Sequence, residues 1–237
     1  MQRRQFNEVS ISTLGALILA TYQQAQALSI GDLAGISNKE ASTGLKTALE
    51  KGALAAVALL GQTDGFFGND KVRIPLPGYL NDVAGLLKNL GQGKRVDELT
   101  LSLNRAAEAA VPMGKTLLVN AVKNMSVADA KTILTGGDTS VTAFFADKTR
   151  APLRITFLPV VTKATEKVGL LNKYNEFAGK AVGFGLVKNE DANIQQYVTG
   201  KSLDGLYLII GEEERKIRRD PVGTGSAILQ KVFGALK

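Results

Sequence analysis

Asn104, Arg105 and Glu108 fall within one turn of a helix-patterned segment, and Arg105 and Glu108 stand three residues apart. That spacing brings an acid and a base into reach on one helical face. A partly buried carboxyl group beside an arginine is an arrangement that supplies a proton and orients an anionic substrate. Arg73, Asp204, Glu213 and Arg218 offer the same chemistry from other parts of the chain. The expectation is that Arg73, Arg105, Glu108, Asp204 and Glu213 converge on one polar pocket between helices. Such a pocket has two uses. It can run carboxylate-based hydrolysis of an anionic or glycan substrate, or it can be an ionic network that fixes a loop onto the helices.

Other chemistries are excluded by residue type. The chain has no Cys and no His, so thiolate nucleophiles, disulfides, Cys-ligated zinc and imidazole bases are all absent. A bound metal would need oxygen ligands alone, and no cofactor or metal is expected. No Gly-x-Ser-x-Gly is present, and no serine has a lysine three positions on. Two-carboxylate glycoside hydrolysis is allowed by composition, yet there is no Trp and only five Tyr to build a sugar platform. Ala109 to Thr116, AAVPMGKT, matches a relaxed phosphate-loop pattern. That chemistry needs a glycine-rich turn after a strand. The residues before it read as helix, so Gly114 is expected to be a close-packing point and Lys115 a solvated one.

The elements that must position these residues are helical. Hydrophobic residues at 45% and charged residues at 22% are ordinary for a globular chain. Leu103, Ala107, Ala110, Gly114, Leu117, Ala121 and Met125 recur at three- and four-residue steps, one apolar face of a long helix over 96–125. Pro112 should kink or split it. Further helices are expected at about 39–60, 77–89, 127–135, 139–149, 152–168, 170–186, 193–217 and 225–235. Ser37 with Glu40 and Ser126 with Asp129 have capping-box spacing, and Asn193 with Gln196 is a weaker version. Period-two alternation is scarce, and Val72-Arg73-Ile74 is at most a short extended piece. The fold class is all-α, a multi-helix bundle with one long irregular loop at about 61–78. Phe66, Phe67, Val72, Ile74 and Leu76 suggest that this loop packs down onto the bundle.

Asp64-Gly65-Phe66, Val72-Arg73-Ile74-Pro75-Leu76-Pro77, Asn104-Arg105-Ala106-Ala107-Glu108, Tyr197-Val198-Thr199 with Leu203-Asp204-Gly205-Leu206, and Glu212-Glu213 with Ile217-Arg218 resemble a bacterial family of exported proteins catalogued as domain of unknown function 4197. The resemblance spans nearly all of 35–235, and departs at the glycine-rich Gly223-Thr224-Gly225. It implies a helical fold and an envelope location, and it implies no reaction.

Residues 1–27 have the order of a cleavable signal peptide: Arg3 and Arg4, an apolar run from Val9 to Ala20, then Ala25-Gln26-Ala27. Arg3-Arg4-Gln5-Phe6 also resembles a twin-arginine signal, with Asn7-Glu8 departing from it. Residues 28–237 are then a single helical domain in the periplasm with no transmembrane segment. The formal charge is +7, and removing the leader lowers it by one. Arg150, Arg154, Lys163, Lys167 and Lys173 lead a basic stretch over 148–188, expected to attract an anionic or lipidic ligand or an acidic envelope protein. Nucleic acid is not expected, because no aromatic interleaving or binding motif accompanies the charge. The sequence therefore points to an exported, non-enzymatic binding protein with a basic surface, with carboxylate hydrolysis as the alternative.

Overall fold

A computed structural model describes residues 38–137, 139–166, 175 and 193–220. Among them the chain forms seven α-helices and no strand: α1 (Asn38–Leu60), α2 (Gly78–Asn89), α3 (Gly93–Ala110), α4 (Lys115–Lys123), α5 (Val127–Thr135), α6 (Ser140–Thr165) and α7 (Ile194–Arg219). The leader, the Ser37 cap, the helices expected at 170–186 and 225–235, and Gly223-Thr224-Gly225 lie outside the described residues.

The central pair is α6 and α7, with α3 laid against both. α1 packs on α7 and α4, α4 bridges α1 and α6, and α2 leans on α3 at the periphery. Pro112 splits the long helical pattern as expected. Val111–Gly114 form a 3-10 turn between α3 and α4, because proline has no N–H to continue the ladder. Gly114 is the packing point of that turn: a Cβ there would lie 2.8 Å from Leu153 Cδ2. The AAVPMGKT run therefore sits between two helices with no strand before it.

Two expected helices, 139–149 and 152–168, are one. α6 runs unbroken through Pro152 and Pro159. Its buried positions Phe145, Thr149, Leu153, Phe157 and Val161 recur every fourth residue, so one apolar stripe continues past both prolines. Packing of that stripe outweighs the lost backbone bonds. α5 begins on a full capping box, with the Ser126 hydroxyl accepting from Asp129 N–H and the Asp129 carboxylate accepting from Ser126 N–H. Asn193 caps α7 by accepting from Gln196 N–H at 3.0 Å.

The loop between α1 and α2 is part of the core. Phe66 and Ile74 are among the largest fully buried side chains, alongside Phe145, Phe157 and Leu103. Val72 and Leu76 are buried as well, and Val72-Arg73-Ile74 forms no strand. Burying a phenylalanine contributes about 1.5–3 kcal/mol. A single such anchor offsets only part of the entropy of ordering a loop this long. Ile74, Val72 and Leu76 add to it, and the polar bonds that satisfy the loop's buried backbone define the site.

Candidate functional site

The loop opens with a tight turn at Asp64-Gly65. Asp64 has φ 65°, a left-handed conformation that a short polar side chain tolerates. Gly65 follows because a Cβ there would lie 2.5 Å from Leu59 O and 2.6 Å from Leu60 O. This turn aims two consecutive N–H groups at α3. Phe66 N–H and Phe67 N–H both donate to Glu108 Oε1, at 3.0 and 3.1 Å. Arg105 Nη1 donates to Glu108 Oε2 at 2.6 Å, and Arg105 Nη2 donates to Asp64 Oδ1 at 2.8 Å. The Glu108 hydrogen bond raises Arg105 above its ordinary pKa, against a smaller opposing effect of lost hydration, with Asp64 adding to the rise.

Asn104 holds the far end of the loop. Its Oδ1 accepts from Ile74 N–H at 2.8 Å, while its Nδ2 donates to Ile74 O at 2.9 Å and to Thr100 O at 2.8 Å. A side-chain amide offers, on two separate atoms, the acceptor and the donor that the N–H and C=O of one residue need. From the other side, Tyr197 OH donates to Pro75 O at 3.1 Å, and Lys71 Nζ reaches Glu212 at 2.6 Å. Gly205 makes room for the Phe66 ring: a Cβ at Gly205 would lie 2.7 Å from Phe66 Cε1. Asn104, Arg105 and Glu108 thus stand within one stretch of α3 and hold the loop at both its ends.

The remaining predicted residues stand elsewhere. Asp204 pairs with Arg150 Nη2 at 2.6 Å, and Arg150 also lies over the Tyr207 ring at 5.3 Å. Burial holds the Tyr207 phenol above its ordinary pKa, with the Thr149 hydroxyl 2.9 Å away opposing the shift. Glu213 pairs with Lys216 along α7 at 2.5 Å. Arg73 lies over the Phe67 ring, its guanidinium carbon 4.1 Å from the centroid, and makes no ion pair among the described residues. The structure therefore brings neither Asp204, Glu213 nor Arg73 to Glu108. Of the basic stretch, Arg150 and Arg154 are exposed one turn apart on α6. Lys163 follows Arg154 by nine residues, about two and a half turns on, and so faces the other way. Lys167, Lys173 and the Arg218 side chain lie outside what the structure describes.

Three grooves run into one another across this side of the molecule. The largest, about 840 Å³, opens between the loop, α2 and α3, with Phe67, Arg73, Pro75, Ala84, Lys88 and Val96 along it. A second, about 330 Å³, shares Arg73 and Pro75 with the first and adds Lys71, Lys201, Asp204 and Leu208. A third, about 140 Å³, shares Lys201 and Asp204 with the second and adds Arg150, Arg154, Gln196 and Tyr197. Sequence reasoning missed Lys201, because it stands far along the chain from Arg150 and in no basic cluster. Its i,i+3 spacing to Asp204 on the exposed side of α7 was the available signal.

The model of a protein family described as protein of unknown function (DUF4197) matches residues 35–234. No curated protein and no solved structure matches the chain. Among the described residues no helix is long and apolar enough to cross a membrane.

Proposed function

We propose a non-enzymatic binding role for this chain, which belongs to the DUF4197 family of proteins of unknown function: it holds an anionic ligand on a basic surface in the bacterial envelope. The observation that carries this reading is the division of labour among the charged groups. Glu108, the carboxylate best placed to act as an acid or base, is buried, and both its oxygens are bonded within the chain. Burial and three donors, which take three of its roughly four acceptor sites, fix this side chain in place and leave it little access to a substrate. Arg73, Arg154 and Lys201, by contrast, are exposed and have no acidic partner among the described residues. Unpaired cations along connected grooves attract anions at long range. The leader-like residues 1–27 support the envelope location.

The test is sedimentation of the purified protein with phosphatidylcholine vesicles, with and without anionic phospholipid, across a salt series. Binding is expected only to the anionic vesicles and should fall as salt rises through the physiological range, where charges are screened within about 8 Å. Absence of binding, or binding indifferent to salt, overturns the reading. The location is read from the mass of the chain in fractionated cells. A periplasmic species starting at Leu28 supports it, and an intact chain with Met1 in the cytosol overturns it.

A further inference from the structure

The third groove resolves the basic surface into a site. α6 contributes Arg150 and Arg154 and α7 contributes Lys201, all exposed and all lining one bowl of about 140 Å³. That volume is a few times the ~30 Å³ of a water molecule, enough for one tetrahedral oxyanion with part of its hydration. Two guanidinium groups with one ammonium suit a group carrying several charged oxygens better than a single carboxylate, because each planar fork bonds two oxygens at once. One acid shares the bowl: Asp204, whose Oδ1 accepts from Arg150 Nη2 at 2.6 Å. Both partners are about half exposed, at 45% and 52%, so the pair contributes at most about 1 kcal/mol to stability and can open without unfolding the helices. Arg154, one turn along α6, has no such partner among the described residues.

We propose that this bowl binds a phosphate ester, and that Asp204 is a built-in competitor which the phosphate displaces from Arg150. The inference rests on the anionic-ligand reading above and adds to it the place, the chemical class and the competing carboxylate. The bowl continues past Lys201 into the groove lined by Lys71, Arg73 and Leu208. The organic part of the ester lies in that direction, and Leu208, 40% exposed, offers it an apolar contact.

The chemistry is shared by free phosphate esters and by phospholipid headgroups, so the experiment has two arms. Glycerol 3-phosphate is titrated into the full chain by calorimetry, and vesicles of phosphatidylcholine containing phosphatidylglycerol are sedimented with it. Both arms use the parent protein and the variants Arg154→Gln, Lys201→Gln and Asp204→Asn, with melting curves as the folding control. Arg154→Gln and Lys201→Gln are expected to weaken binding about fivefold each. Asp204→Asn should tighten it about threefold, the size expected for removing one exposed charge. A residue holding α6 to α7 for structural reasons alone would not tighten binding when changed. This order in the glycerol phosphate arm supports the site with a soluble ester as ligand. The same order in the vesicle arm alone supports it with a headgroup at a membrane. Unchanged or weaker binding by Asp204→Asn, with Arg154→Gln neutral, overturns the site. If the parent still binds anionic vesicles in a salt-dependent way, the broader function survives that outcome. If the parent binds neither probe, both fall.

Discussion

At the scale of single residues, Glu108 and Asn104 solve one problem in two ways. A loop entering a helical bundle carries backbone groups with no ladder to join, and each one left bare in the interior costs about 1–3 kcal/mol. Glu108 supplies a carboxylate to two N–H groups at the start of the loop, and Asn104 supplies an amide that satisfies both sides of Ile74. Glu108→Ala is therefore expected to lower stability by about 3 kcal/mol. Glu108→Gln keeps an acceptor for the paired N–H groups but loses the charged partner of Arg105, and should lower it by about 1–2 kcal/mol. Urea denaturation measures both. If Glu108→Gln instead removed an enzymatic activity at undiminished stability, the hydrolase alternative would return. The i,i+3 spacing of Arg105 and Glu108 was legible in the sequence. What they hold was not, because two of the three donors on Glu108 are backbone groups, and the Asp64-Gly65 turn signal does not say which distant carboxylate their N–H groups meet.

At the scale of elements, local signals were the most readable and long-range ones the least. The Ser126 cap, the break at Pro112 and the loop at 61–77 all follow from residues within a few positions of each event. The continuity of α6 does not. It depends on the packing of Phe145, Thr149, Leu153, Phe157 and Val161 against other helices, which overrides two prolines. The α5 cap also sets a pH dependence. Hydrogen bonds from the Ser126 hydroxyl and N–H hold Asp129 below its ordinary pKa of 3.8. The folded value lies under the unfolded one, so this stabilisation is fully present above that ordinary value and is lost as pH falls through the lower, folded value. Ser126→Ala is expected to cost about 1 kcal/mol near neutral pH and to flatten the acid limb of the stability curve. Denaturation of both proteins between neutral pH and strong acid checks this. An unchanged acid limb would show that the cap does not carry the dependence.

At the scale of the molecule, loop and bundle are one cooperative unit, because Phe66 and Ile74 belong to the same core as the helices. Phe66→Ala should lower global stability by about 3–5 kcal/mol. Protease sites in 61–77 and helical circular dichroism should then be lost in the same transition. A loop that becomes cleavable while the helices stay folded would contradict this. The loop's contacts also set the order in which the polypeptide can acquire its structure. Ile74 bonds Asn104 at a separation of 30 residues and Phe66 bonds Glu108 at 42, but Pro75 waits for Tyr197 at 122 and Lys71 for Glu212 at 141. Helical bundles usually fold fast because their contacts are local, and contacts this distant slow the search. The segment after the first helix therefore cannot complete its contacts until the last described helix has been synthesised, because the seat of the Phe66 ring at Gly205 belongs to that helix.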